Sequence, residues 1–219
     1  MGRIGRSLSG DSIKTKGEKG AVVKRHRKAQ IRRKTKETEI ILKMDLDGLG
    51  KHSIHTGIPF FDHMLQLFAY HSAIDLTLQA KGDTEVDAHH TVEDVGICLG
   101  EGVRKALGEM KGIRRFGGAL IPMDETLASV ALDLSMRPCL VFHMKPKRSR
   151  IGTFDLELVE EFFKAFSDHG KFTLHINLLY GRNSHHMVEA VFKGVGRALR
   201  EAVSWDERIK TVPSTKGIL

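Results

Sequence analysis

"DAHHTVEDVG" occupies Asp87–Gly96 and "SHHMVEAVFKG" occupies Ser184–Gly194. Each stretch holds two adjacent histidines and a glutamate three residues after the second: His89, His90 and Glu93 in one, His185, His186 and Glu189 in the other. The copies stand 96 positions apart in a chain of 219 residues. Packing a core asks for no such motif, and two of them in register point to an internal repeat.

The match extends backwards. "HMLQLFAYH" (His63–His71) falls on "EFFKAFSDH" (Glu161–His169), and "AIDLTLQAKG" (Ala73–Gly82) falls on "FTLHINLLYG" (Phe172–Gly181). Further upstream, "ETEIILKMDLD" (Glu37–Asp47) resembles "ETLASVALDLS" (Glu125–Ser135). Ile40, Leu42, Met44 and Leu46 alternate with mainly polar residues, as do Ala128, Val130, Leu132 and Leu134, and this period of two reads as half-buried strand. Ile74, Leu76 and Leu78, and later Phe172, Leu174, Ile176 and Leu178, repeat the pattern. Phe60, Phe61, Met64, Leu65 and Phe68 follow helical spacing, as do Leu158, Val159, Phe162, Phe163 and Phe166. Two more helices open at the paired histidines, with Ser184 as the expected N-cap of the second. Each half thus reads strand(s)–helix–strand–helix. The fold class is α+β, with internally duplicated half-domains and sheets packed with helices. The expected division is a basic, disordered extension over residues 1–30, a first half over 31–122 and a second over 123–219, the halves forming one catalytic domain.

The net charge of +8 is unevenly placed. Residues 1–36 carry 13 Lys/Arg against 2 Asp/Glu, and the remainder carries 22 against 25. The basic character therefore belongs to the N-terminal stretch, which lacks apolar periodicity. Its sharper alternatives are a weak polyanion contact or a remnant of a targeting segment. No apolar run approaches the roughly 20 residues of a membrane span, and Cys98 and Cys139 form no disulfide framework, so a cytoplasmic protein is expected, with no membrane or nucleic-acid partner.

On a helix, a residue shares a face with those three and four positions on, whereas neighbours point about 100° apart. His89 and His90 therefore serve different partners, and a carboxylate beside imidazoles suits a borderline divalent ion such as Mn²⁺, Zn²⁺ or Fe²⁺. The repeat places His63 opposite Glu161. Eight candidate metal ligands result: His63, His89, His90, Glu93, Glu161, His185, His186 and Glu189, or four for each of two ions. His71 and His169 fall at equivalent helix ends, where partial positive charge is favourable. His26, His52, His55, His143 and His175 read as ordinary surface or core histidines. Basic groups in "GIRRFGG" (Gly112–Gly118), "SMRP" (Ser135–Pro138), Lys193 and "PSTKG" (Pro213–Gly217) suit a phosphate-bearing ligand. A binuclear metallohydrolase would use the same kind of ligand set, and a nucleic-acid-binding protein acting through the basic stretch is the non-enzyme alternative.

Six stretches in order, "RKTKET", "GIPFFDHML", "DAHHTVEDVGICLG", "GIRRFGGALIPMDE", "LYGRNSHHMVEAVFK" and "VPSTKGIL", resemble the imidazoleglycerol-phosphate dehydratase family over about Arg32 to Leu219. The resemblance implies a fold of the ribosomal protein S5 domain 2-like kind and a hydro-lyase of histidine biosynthesis. It implies dehydration of D-erythro-imidazole glycerol phosphate to imidazole acetol phosphate through a dimanganese-bound imidazolate and a diazafulvene-like intermediate. It also implies two Mn²⁺ per active site and a 24-subunit homo-oligomer with sites built between subunits. Carried over by motif, His63, His89, His90, Glu93, His185, His186 and Glu189 would bind the metals, and His63, His89, Glu93 and His186 would thereby be catalytic. Glu37 would move protons, and Arg115, Arg137, Lys193, Ser214 and Lys216 would hold the phosphate. This chain has Glu161 where some members have histidine, and Leu67 where some have glutamine.

Overall fold

The computed structural model describes residues 27–218. Alternation in "TEIILKMD" becomes strand β2 (Thr38–Asp45), which turns Ile40, Leu42 and Met44 inward. It pairs antiparallel with β1 (Lys28–Lys34) on one side and with β4 (Asp75–Gly82) on the other. β3 (His52–His55) runs parallel to β4, and the crossover a parallel pair requires is helix α1 (Pro59–Ser72). Helix α2 (His89–Leu107) closes the first half. The sheet order is β1-β2-β4-β3.

The second half repeats this plan. β5 (Phe116–Met123), β6 (Thr126–Asp133), β7 (Cys139–His143) and β10 (Thr173–Tyr180) assemble in the order β5-β6-β10-β7, again with one parallel pair at the edge. Helix α3 (Leu158–Gly170) is the crossover, and α4 (Ser184–Val203) closes the half. A short hairpin, β8 (Arg150–Ile151) with β9 (Phe154–Asp155), is inserted before α3. α1 and α3 end alike, on Ala73 and Lys171 in the left-handed region, both at φ 57°.

The helices lie between the sheets in an exchanged arrangement. α2 rests on the first sheet and α4 on the second, but α1 packs on α4 and α3 on α2. Phe61 of α1 meets Phe162 of α3 edge-on at 5.2 Å, and Phe68 meets Phe166 at 5.8 Å, so all four helices share one core. Backbone contact sets the crossing points. A Cβ on Gly100 would lie 2.5 Å from the Phe166 carbonyl oxygen, and one on the equivalent Gly196 would lie 2.8 Å from that of Phe68. Only glycine permits such an approach.

Three details depart from the sequence reading. Arg27, Lys28, Ala29 and Gln30, assigned to the extension, are ordered: the last three open β1, and the Arg27 guanidinium grips Asp47 at 2.7 and 3.0 Å. It also donates to the Val203 carbonyl and lies over Trp205 at 4.3 Å. These partners supply what local periodicity lacks. Residues 1–26 lie outside the described residues. Pro122, taken as the end of the first half, sits inside β5, an edge strand where a missing N–H leaves no ladder gap; β5 belongs to the second sheet, so the halves join between Leu107 and Phe116. Finally, Ser184 is not the N-cap of α4. Asn183 is, accepting from the His185 N–H at 2.9 Å, because its longer side chain reaches back over the first turn while the Ser184 hydroxyl is buried without a partner. Among the described residues, no helix is long and apolar enough to cross a membrane.

Candidate metal centre

Both HHxxE motifs sit at helix N-termini that follow a central strand, β4 before α2 and β10 before α4. Asp87 accepts the His89 N–H at 2.7 Å as Asn183 accepts that of His185, so the first histidine of each pair starts its helix in the same way. Adjacent imidazoles then diverge. The His89 and His90 rings stand at 90° with centroids 6.1 Å apart; His185 and His186 stand at 82° and 6.4 Å.

The first histidine of each pair turns along the helix toward its glutamate. His89 Nε2 is 3.9 Å from Glu93 Oε2, and His185 Nε2 is 3.4 Å from Glu189 Oε2. In the second motif, packing of α1 on α4 adds His63, whose ring centroid lies 6.0 Å from that of His185. His63, His185 and Glu189 each offer a ligand atom, all within 4.8 Å of one another. Two imidazoles and a carboxylate at this spacing fit a divalent ion of borderline character. Glu189 is buried, which pushes its carboxyl up, but the Lys193 ammonium at 2.6 Å and the neighbouring His185 and His63 outweigh burial and hold it below its ordinary value. It is therefore anionic, as a ligand must be.

Glu161 occupies the first turn of α3 and is related by the repeat to His63. Among the described residues, Glu161, His89 and Glu93 do not close into a second such group. The second histidine of each pair has turned instead to a carboxylate outside the expected set. His90 Nδ1 lies 3.0 Å from Asp83, and His186 Nδ1 lies 2.8 Å from Glu125. These hydrogen bonds raise both imidazoles above their ordinary value. Glu125 is held far below the usual carboxylate range by His186 and by the backbone N–H groups of Asn183 and Arg182, at 2.7 and 3.0 Å. Sequence reasoning missed Asp83 and Glu125. The signal for Glu125 was its match, in the repeat, to Glu37.

The expected phosphate-holding residues gather in part. Arg115 donates to both oxygens of Asp133, at 2.7 and 3.1 Å, and to the Pro213 carbonyl at 2.9 Å. Arg137 approaches the same Asp133 at 3.6 Å, so Arg115 and Arg137 stand together beside Ser214, whose hydroxyl accepts the Lys216 N–H. Arg115 holds this junction at φ 74°, in the left-handed region. Lys193 stands apart from them, one turn along α4 from Glu189. Glu37 is exposed in the turn between β1 and β2. A cleft of roughly 720 Å³ beside His185 and His186 is flanked by Lys147, Arg148, Arg150 and Arg182, basic groups whose sequence spacing gave no sign of convergence.

Comparison with known proteins identifies the family. The family model for imidazoleglycerol-phosphate dehydratase matches residues 56–199. The chain is 55% identical over 193 residues to the imidazoleglycerol-phosphate dehydratase of Syntrophobacter fumaroxidans, covering 88% of this chain and 98% of that protein. It is 58% identical over 191 residues to that of Clostridium botulinum, covering 87% and 97%. The crystal structure of imidazoleglycerol-phosphate dehydratase from Staphylococcus aureus superposes with a TM-score of 0.75 at 39% identity, over 82% of this chain and 99% of that one. IGPD from Pyrococcus furiosus also gives 0.75 at 39% identity, over 86% and 100%. With its duplicated sheets, paired HHxxE helices and near full-length relatives, the chain belongs to the imidazoleglycerol-phosphate dehydratase family.

Proposed function

We propose that this chain removes water from D-erythro-imidazole glycerol phosphate to give imidazole acetol phosphate, in the cytoplasm and within histidine biosynthesis, with two Mn²⁺ per active site. The activity class follows from the family: the chain is a hydro-lyase. The observation that carries the metal reading is the convergence of His63, His185 and Glu189 from α1 and α4. The full ligand set is His63, His89, His90, Glu93, Glu161, His185, His186 and Glu189, four to an ion. The two halves act as one catalytic unit, since α1 and α4 belong to different halves and build one group.

Bound Mn²⁺ would stabilise negative charge on the substrate's imidazole ring after loss of its N–H proton. The C–H to be broken lies next to no carbonyl, so electron release from the ring is what opens the reaction. It expels the hydroxyl on the adjacent side-chain carbon and leaves a diazafulvene-like side chain. The ring N–H proton and this hydroxide leave as one water. Glu37, exposed and hence free to reach substrate, then takes the proton from the next carbon while the ring nitrogen regains one. The resulting enol becomes the ketone as its O–H proton is lost and a proton is added to the carbon beside the ring. Arg115, Arg137, Lys193, Ser214 and Lys216 hold the phosphate, and that remote binding positions the ring. Among the described residues, Glu161 does not close with His89 and Glu93 into one group in a single chain, which supports sites completed between copies of a homo-oligomer, a 24-subunit assembly in this reading.

The test is ketone formation from imidazole glycerol phosphate by metal-stripped protein with and without Mn²⁺. Manganese-dependent product with phosphate still attached is expected. Absence of product despite two bound metals per chain would overturn the substrate assignment, and release of free phosphate would favour a hydrolase.

A further inference from the structure

We infer that Asp83 and Glu125 are positioning residues, which fix His90 and His186 in the tautomer that leaves Nε2 open for a metal. This rests on the metal reading above. An ionised carboxylate only accepts, so Nδ1 of each histidine must carry the hydrogen, at 3.0 Å from Asp83 Oδ2 and 2.8 Å from Glu125 Oε2. The lone pair then stands on Nε2, which in His186 faces the Asn183 side-chain amide at 3.4 Å, with Asp124 at 3.8 Å, groups a metal would displace.

The repeat shows how the two halves reach this end by different routes. Glu37 and Glu125 are equivalent, each preceding the threonine that opens a central strand, Thr38 of β2 and Thr126 of β6. Asp83 and Arg182 are equivalent, each following a glycine, Gly82 as the last residue of β4 and Gly181 just after β10. In the second half, position 182 is arginine and its twin's task falls to Glu125. In the first half, Asp83 takes the histidine, and Glu37 is left exposed, its charge reaching His90 but its carboxylate making no side-chain hydrogen bond among the described residues. Both Asp83 and Glu37 line one small cavity. The exchange of Asp83 for Arg182 is thus what releases Glu37 for proton transfer while its twin stays fixed.

The bonding around Glu125 allows a sharp test. Oε1 accepts the backbone N–H groups of Arg182 and Asn183, so in Glu125→Gln the amide oxygen must stay there and the amide NH₂ must face His186 Nδ1. That donor forces the hydrogen onto Nε2 and removes the metal's lone pair. Glu125→Ala loses the backbone bonds but leaves His186 both tautomers. Mn²⁺ affinity of the full chain, read from the signal of free Mn²⁺ by electron paramagnetic resonance, is therefore expected to rank wild type, then Glu125→Ala, then Glu125→Gln. The Gln variant should be weakened about 10–100-fold. A purely structural Glu125 puts Glu125→Gln ahead of Glu125→Ala, since Gln keeps the backbone bonds, and that order overturns the inference. Asp83→Ala, which removes the acceptor at His90 Nδ1 and disturbs no backbone bond, is expected to weaken Mn²⁺ by about tenfold at an unchanged urea midpoint; wild-type affinity in this variant would also overturn it. If the wild type itself binds no Mn²⁺, the metal reading fails first.

Discussion

His63 and His185 come from opposite halves of the repeat, yet their rings lie 6.0 Å apart. The pairing exists because α1 crosses to α4, and it makes the metal group a product of tertiary exchange rather than of one motif. His63→Ala and His185→Ala are each expected to weaken binding of the same Mn²⁺ by about tenfold or more, with the double variant far from additive. Metal titration of the three variants checks this; independent, additive losses would place the residues in separate sites.

The crossing points predict a stability cost at two glycines. Gly100→Ala and Gly196→Ala each press a Cβ against a backbone carbonyl that cannot swing away. Each should lose about 1–3 kcal/mol in urea denaturation. Gly118→Ala is the control, because its Cβ meets nothing nearer than 3.6 Å.

The Glu125–His186 pair predicts a pH window in metal-free protein. Glu125 lies below its ordinary value of 4.5, so its share is present above that pH and lost as pH falls below it. His186 lies above its ordinary 6.5, so its share is complete below 6.5 and fades as pH rises through the raised value. The stability difference between wild type and Glu125→Gln should peak between about pH 4.5 and 6.5 and shrink on both sides. Added salt should reduce it, since the pair is open to solvent. A flat difference across pH 3–9 would show that the pair contributes nothing.

Cys98 is expected to resist alkylation. Burial, then the field of Glu101, pushes its thiol up to about 12, so almost no thiolate exists at pH 8. Iodoacetamide labelling followed by peptide mass spectrometry should find Cys98 unmodified in native protein and modified after denaturation.

Asp133 is predicted to act on substrate binding through Arg115 and Arg137. Asp133→Asn removes charge from the Arg115 contacts that hold Pro213 in place. Losing one charge-assisted bond, about 1.5 kcal/mol, should raise KM about tenfold and leave kcat within about twofold. A fall in kcat alone would place Asp133 nearer the chemistry.

Periodicity carried the central strands because one face is turned to the core. Ile40, Leu42 and Met44 alternate for that reason, whereas α2 is covered by both the first sheet and α3 and was legible because Val92, Val95, Leu99 and Val103 still keep helical spacing. Edge strands gave weaker signals. β1 reads "KAQIRRK", whose outer face is mostly charged and whose place depends on pairing with β2, so it merged with the basic stretch before it. The HHxxE ligands were legible because i and i+4 meet on any helix, as His185 and Glu189 do. The carboxylates behind His90 and His186 were not, since Asp83 and Glu125 reach them from strand ends 7 and 61 residues away.

The exchange of α1 and α3 between halves has a genealogical reading. A half-length chain built on this plan would leave its crossover helix without a bed, and a second copy would supply one through a twofold exchange of helices. Joining two such copies end to end would give the present topology, with α1 on α4 and α3 on α2. It also frees each copy to diverge, as Asp83 and Arg182 have done. The asymmetry of the modern site is thus a privilege that a strictly symmetric ancestor could not have held.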